Sequence, residues 1–268
     1  MKNKKSIQIS TSNAKFNCNV LGNGAKSLIA FHGFGQDGNV FISMAQTQFS
    51  YTVYSFDLPF HGTTEIRNEN AHLSVEEIQE MMRILLVKTG IEHFSIIAFS
   101  IGAKFAFPII EVFATKIENI WLLAPDGIKI SFWYSFATKN KITRSIFQYL
   151  MNSPQILIHT HKLLKSMKLI DPNMEKLVLN SINTSQNRAR IYNTWNYLKN
   201  LNWNGDPLSK VLERNSLQMN IVLGESDTII SKRKIEREIE NVKNIKLILL
   251  QCGHFNLIRH FSNQSLLK

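Results

Sequence analysis

The pentad Ala98-Phe99-Ser100-Ile101-Gly102 sets a serine between small residues, directly after the apolar run Phe94–Phe99. A hydroxyl becomes a nucleophile when a base takes its proton and an acid orients that base. Small side chains two before and two after the serine permit a sharp turn from strand to helix. Such a turn lifts the serine oxygen above a sheet and aims a helix N-terminus at it, which favours negative charge there. Candidates for the other two roles lie downstream. Ile221-Val222-Leu223-Gly224-Glu225-Ser226-Asp227 puts Asp227 in the turn after one apolar run. Leu249-Leu250-Gln251-Cys252-Gly253-His254 puts His254 in the turn after the next. If these runs are parallel strands, all three residues lie at the carboxyl edge of one sheet, where open α/β folds place their sites.

The elements that must position them can be read from the pattern. Strands are predicted at Ser6–Ser10, Phe16–Leu21, Ser27–Phe31, Thr52–Phe56, Phe94–Phe99, Asn119–Leu123, Met219–Leu223 and Ile245–Leu250. Gly22-Asn23-Gly24 reads as a hairpin turn joining the second strand to the third. The clearest helix runs from Ser74 to about Lys88, with a capping box of Ser74 and Glu77 and Gly90 after its end. The apolar stretch Ile96–Ala114 holds Ser100, Lys104, Pro108 and Glu111, so it reads as a buried strand running into a buried helix, with no transmembrane segment. Residues 127–207 carry no strand pattern. Ser153-Pro154 and Asp171-Pro172 mark helix starts there, as a cap residue followed by proline. The fold class is therefore α/β: a mostly parallel twisted sheet of about eight strands, with helices on both faces and a helical insert.

In this setting the chain resembles the α/β-hydrolase superfamily over nearly its whole length. Phe31-His32-Gly33-Phe34-Gly35 resembles the family's HG oxyanion segment after its third strand, and Asp57-Leu58-Pro59-Phe60-His61-Gly62 its D-x-P-x-x-G stretch after the fourth. Leu122-Leu123-Ala124-Pro125 is similar to the segment after which a cap is inserted. Gly224-Glu225-Ser226-Asp227 resembles the acid turn, and Gly253-His254 the histidine loop. Ala98 stands where the family usually has glycine, and alanine still clears the turn. The resemblance implies Ser100 as nucleophile, His254 as general base and acid, and Asp227 as the orienting acid. It implies an oxyanion hole from the backbone N–H groups of Phe34 and Ile101, and chemistry without metal or cofactor. Some family members draw the acid from the strand before the insert. That makes Asp126 a rival, although Asp227 fits its motif better. The implied organisation is a core of residues 1–126 and 208–268 with a cap of residues 127–207. The implied activity is cleavage of a carboxylic ester or related acyl compound. Thioester hydrolysis, acyl transfer and C–C cleavage remain open on the same fold.

Composition limits the other classes. The chain has 268 residues and a formal net charge of +11, with 44% hydrophobic and 19% charged residues, so it is neither disordered nor fibrous. Two cysteines, Cys18 and Cys252, make no disulfide framework and point to a cytoplasmic, reducing setting. The residues after Met1 are basic but precede no apolar run, so they do not read as a signal peptide. Between Lys129 and Gly205, eight lysines and three arginines face only Asp171 and Glu175. The charge raises nucleic acid, anionic lipid or a small-molecule substrate with an anionic tail as partners. Nucleic acid is not expected, because no reading motif, zinc site or arginine-rich run is present. Aromatics within the insert favour an apolar acyl or aryl group in the substrate. Gly33-Phe34-Gly35-Gln36-Asp37-Gly38, with Asp57 beyond it, imitates a dinucleotide fingerprint. Two strands precede it, however, and an oxidoreductase would leave Ser100, Asp227 and His254 unexplained. A non-catalytic binding protein would leave them equally without a purpose.

Overall fold

The computed structural model describes residues 5–68, 71–128, 132–156, 158–159, 182–202 and 205–264, with backbone alone at 132, 133, 205 and 206. The chain divides into two compact units, residues 1–129 with 200–268, and residues 130–199. The predicted strands all form in the first unit: β1 (Lys5–Ser10), β2 (Ala14–Leu21), β3 (Lys26–Phe31), β4 (Tyr51–Phe56), β6 (Phe94–Phe99), β7 (Ile117–Leu123), β8 (Met219–Gly224) and β9 (Ile245–Leu250), with a two-residue β5 (Glu65–Ile66) in addition. The sheet runs β1-β2-β4-β3-β6-β7-β8-β9, and β5 also pairs with β2. β1–β2 and β2–β4 are antiparallel. From β4 to β9 every pairing is parallel.

Register sets the carboxyl edge. Phe31 lies opposite Ala98, Phe99 opposite Leu123, Leu123 opposite Val222, and Gly224 opposite Leu250. The parallel strands therefore end close to one level, and the loops after β6, β8 and β9 leave from that edge. All six residues of β6 are buried, as a central strand covered on both faces requires. Helices of this unit are α1 (Ile42–Thr47), α2 (Val75–Thr89) and α3 (Ala103–Phe113). In α3, nine of eleven residues are buried, including Lys104. No helix among the described residues is long and apolar enough to cross a membrane.

The second unit holds α4 (Phe132–Thr138), α5 (Lys141–Asn152) and α6 (Ser185–Tyr197). The helix start at Ser153-Pro154 is present, whereas that at Asp171-Pro172 lies outside the described residues. Aromatic rings join these helices: Phe147 stacks on Trp195 at 5.4 Å and meets Tyr192 at 5.8 Å, and Tyr134 meets Trp195 at 5.3 Å. Three further helices return to the first unit: α7 (Gly205–Arg214), α8 (Lys232–Ile239) and α9 (Leu257–Ser262).

Two local expectations are corrected. Gly22-Asn23-Gly24 does reverse the chain, but β2 and β3 are not paired, because β4 lies between them. Gly24 packs directly on the Ser50–Tyr51 backbone, where a Cβ would have no room. Lys26 N–H donates to Ser50 O at 2.9 Å, and the Thr52 hydroxyl donates to Gly24 O at 2.7 Å. The glycines thus let the chain pass beside the start of β4. A turn signal specifies reversal and says nothing of which strand becomes the neighbour. The real hairpin is β1–β2, closed by Thr11 N–H on Ala14 O at 2.9 Å.

The capping box at α2 is only half made. Ser74 Oγ accepts from Glu77 N–H at 3.2 Å, but the Glu77 carboxylate turns to the β1–β2 hairpin. It accepts from the Thr11 hydroxyl at 2.6 Å, Asn13 N–H at 3.0 Å and Asn13 Nδ2 at 3.0 Å. Three donors outweigh the single local one a capping box offers, so tertiary bonding wins. Replacing Glu77 with Ala strands those donors and is expected to cost about 2–3 kcal/mol in urea unfolding. A loss under about 0.5 kcal/mol would show that the hairpin needs no such anchor.

Candidate active site

The elbow after β6 is built from close approach. Ser100 has φ +52°, a conformation uncommon for any residue but glycine. It is held there because α3 begins against the end of β3. A Cβ on Gly102 would overlap Phe31 O and lie 2.7 Å from His32 O, and one on Gly33 would lie 2.7 Å from the Phe99 ring. Ala98, fully buried, is small enough to let β6 turn. The Ser100 carbonyl accepts from Asp126 N–H at 3.0 Å, tying the elbow to the exit of β7.

The loops after β8 and β9 are stitched together. Glu225 N–H donates to Leu250 O at 2.8 Å, and Ser226 N–H to Cys252 O at 3.1 Å. Gly224 allows this, since a Cβ there would collide with Cys252 O. The stitch sets Asp227 against His254. Asp227 Oδ2 lies 2.7 Å from His254 Nδ1, with both side chains buried. Asp227 Oδ1 accepts from Ile229 N–H at 2.8 Å and Ile230 N–H at 2.9 Å. A carboxylate offers no proton, so Nδ1–H donates, and the lone pair of neutral His254 sits on Nε2. The His254 ring lies 4.9 Å from the ring of Phe99, the residue before Ser100. Among the described residues no hydrogen bond joins Ser100 Oγ to His254. Such bonds are often long without substrate and tighten when it binds.

Asp126, the rival acid, is engaged elsewhere. Its Oδ1 accepts from Gly127 N–H at 2.8 Å, and its charge acts on Lys104. Burial lowers the Lys104 ammonium and Asp126 opposes that. Lys104 Nζ donates to Leu201 O at 2.8 Å and Asn202 Oδ1 at 2.7 Å. Sequence reading passed over Lys104 as one charge in an apolar run. A lysine four residues after the serine, on the buried side of its helix, was the available signal.

The segment Gly33–Gly35 is shaped by two histidines. His32 is fully buried; its Nδ1–H donates to Gly33 O at 2.8 Å, and its Nε2 accepts from Leu58 N–H at 3.0 Å. Burial pushes His32 down to about 4, against the opposing pull of the Gly33 carbonyl and of Asp57 and Asp37. The Phe34 ring meets His61 edge-on at 5.2 Å, and His61 Nδ1–H donates to Pro59 O at 2.8 Å. Among the described residues the Phe34 N–H has no acceptor within the chain.

Asp57 closes the question of the dinucleotide fingerprint. Its carboxylate accepts from Gly38 N–H at 2.8 Å, Thr63 N–H at 2.9 Å, the Thr63 hydroxyl at 3.1 Å, Asn17 Nδ2 at 3.0 Å and Asn19 Nδ2 at 3.1 Å. Burial pushes its carboxyl up, but bonds from Gly38, Thr63 and Asn17 bring it below the usual range. Gly62 sits at φ +54° with its missing Cβ facing that carboxylate. The acid that would hold a ribose is buried and fully engaged. Cys18 and Cys252 are both buried and unbridged. Among the described residues no cluster of three or more metal-ligating side chains occurs.

Residues 26–261 match a family model described as alpha/beta hydrolase fold. An uncharacterized hydrolase of Saccharomyces cerevisiae is 25% identical over 252 residues, covering 88% of this chain and 86% of the yeast protein. A thermophilic esterase from Thermogutta terrifontis superposes with a TM-score of 0.67 at 13% identity, over 95% of this chain and 93% of that one. A serine hydrolase from the bacterium Cycloclasticus zankles does so at 0.65 and 15%, over 97% and 96%. At these identities the two structures share the fold.

His32 makes stability depend on pH. Its folded pKa lies below the ordinary 6.5, so the unfolded chain binds the proton more readily. Its contribution is complete above about 6.5, falls as pH drops towards about 4, and is flat below that. The gap corresponds to roughly 3 kcal/mol. Urea unfolding at neutral and acid pH should show this fall, and a His32→Gln variant should lack it. An unchanged pH profile in that variant would remove His32 from the account.

Proposed function

This chain belongs to the alpha/beta hydrolase fold family, and on that premise we propose that it is a serine hydrolase of carboxylic esters or related acyl compounds. The observation that carries the reading is the 2.7 Å bond between His254 and a pinned Asp227, at the sheet edge where Ser100 is held at positive φ. Ser100 Oγ attacks the acyl carbon while His254 Nε2 takes its proton. Asp227 fixes the Nδ1–H tautomer and stabilises the imidazolium that forms. The N–H groups of Phe34 and Ile101 receive the developing oxyanion, worth roughly 3 kcal/mol each if well aimed. His254 then returns the proton to the leaving group as the tetrahedral adduct collapses to an acyl-serine. Water enters, gives its proton to His254 and attacks the same carbon. Collapse releases the acid, and His254 reprotonates Ser100. No step calls on a metal or cofactor.

Residues 127–207 are read as the cap that selects the substrate. Its aromatics favour an apolar acyl or aryl group, and its charge favours an anionic tail. The two buried, unbridged cysteines fit a reducing, cytoplasmic setting.

Replacing Ser100 with Ala should abolish both hydrolysis of p-nitrophenyl esters and labelling by a fluorophosphonate, with the fold intact. Retained turnover would sink the mechanism. Asp227→Asn should lower kcat by roughly 10³–10⁴ and slow fluorophosphonate labelling with it, the fold staying intact. If Asp126→Asn does this instead, the acid has been misassigned. For the tail, KM for an anionic ester should rise with salt while that for a neutral ester stays level. Equal responses would withdraw the anionic group.

A further inference from the structure

α5 is apolar on two opposite sides. Phe147 and Met151 face inward, where Phe147 packs on Tyr192 and Trp195. Ile142, Ile146 and Tyr149, spaced i, i+4, i+7, form a stripe on the other side, with Ile142 73% and Tyr149 61% exposed. Among the described residues of this unit, the first face is packed and the second stays exposed. The stripe is also part of a concentration. Of eleven large hydrophobic side chains exposed among the described residues, Phe136, Ile142, Ile146, Tyr149, Ile156 and Ile158 fall within one stretch of chain.

The charge on the described residues of this unit has one sign. Residues 132–156 and 182–202 carry Lys139, Lys141, Arg144, Arg188, Arg190 and Lys199, and no carboxylate. Lys139 and Lys141 are exposed and immediately precede Ile142. A second copy of this chain would bring like charge against like. A surface that takes both aliphatic side chains and lysines is an anionic bilayer, where side chains enter the headgroup boundary and lysines meet lipid phosphates and carboxylates.

We propose that this face of the second unit docks on anionic lipid membranes, with the Ile142–Ile146–Tyr149 stripe inserted at the interface and Lys139 and Lys141 on the headgroups. The docking is independent of the catalytic reading, because it is tested by binding in the Ser100→Ala background. The full chain is floated with vesicles of phosphatidylcholine alone, or with about one third phosphatidylserine. The anionic vesicles should bind at least tenfold more tightly, and salt should weaken that binding. Ile142→Ser with Ile146→Ser should lose at least tenfold. Lys139→Gln with Lys141→Gln should lose roughly 30-fold, about fivefold per lysine. Both variants change exposed side chains and should keep the parent melting temperature. Equal binding to the two vesicles, absence of binding to either, or stripe variants that bind as the parent would each overturn the proposal. A dimer on sizing that the stripe variant dissolves would assign the face to a second copy and also overturn it. Retention on an immobilised acidic polypeptide without vesicle binding would do the same in favour of an acidic protein.

Discussion

The backbone of Ser100 is the constraint on which the edge of the sheet is arranged. A serine at φ +52° persists only if its surroundings leave no easier conformation. They do so through close contact rather than through bonds to the side chain. α3 starts hard against the end of β3 at Gly102, and the β3 loop lies against the Phe99 ring at Gly33. Level strand ends then follow from the parallel register, and the β8 and β9 loops reach the same edge because Gly224 lets them touch.

Two buried carboxylates near that edge show how environment separates structure from chemistry. Asp57 is surrounded by five neutral donors from β2, the Gly38 turn and the Thr63 turn. Every one of its partners is fixed, so it organises loops and has nothing to exchange. Asp227 has one oxygen held by two backbone N–H groups and the other on an imidazole. Only the second arrangement includes a group that can change protonation during a reaction. His32, with both ring nitrogens engaged, stands to His254 as Asp57 does to Asp227.

Much of this is legible in the sequence, for physical reasons. Buried parallel strands are continuous apolar runs, so Phe94–Phe99 and Met219–Leu223 stand out. Asp227 and His254 were visible because each follows such a run by a few residues. What failed were inferences of pairing from local signals. Gly22-Asn23-Gly24 marked a reversal but could not reveal that β4 enters between its strands. Ser74 and Glu77 had the spacing of a capping box, but Thr11 and Asn13, distant in sequence, outbid it. The roles of Lys104 and His32 were hidden for the same reason, since their partners at 201, 202 and 58 are set by topology alone.

Lys104 has a wider consequence. The chain leaves the first unit just past Asp126 and Gly127 and re-enters it near Leu201 and Asn202, and all of these meet the same buried lysine. The intervening residues are therefore a loop already closed at its base. For such a loop, doubling the number of residues adds only about 0.6 kcal/mol of closure entropy. A change in the length of the insert therefore costs the sheet edge and its serine little closure entropy. A single ammonium ion at the root thus ties the exit and the return of the chain to one point of the first unit.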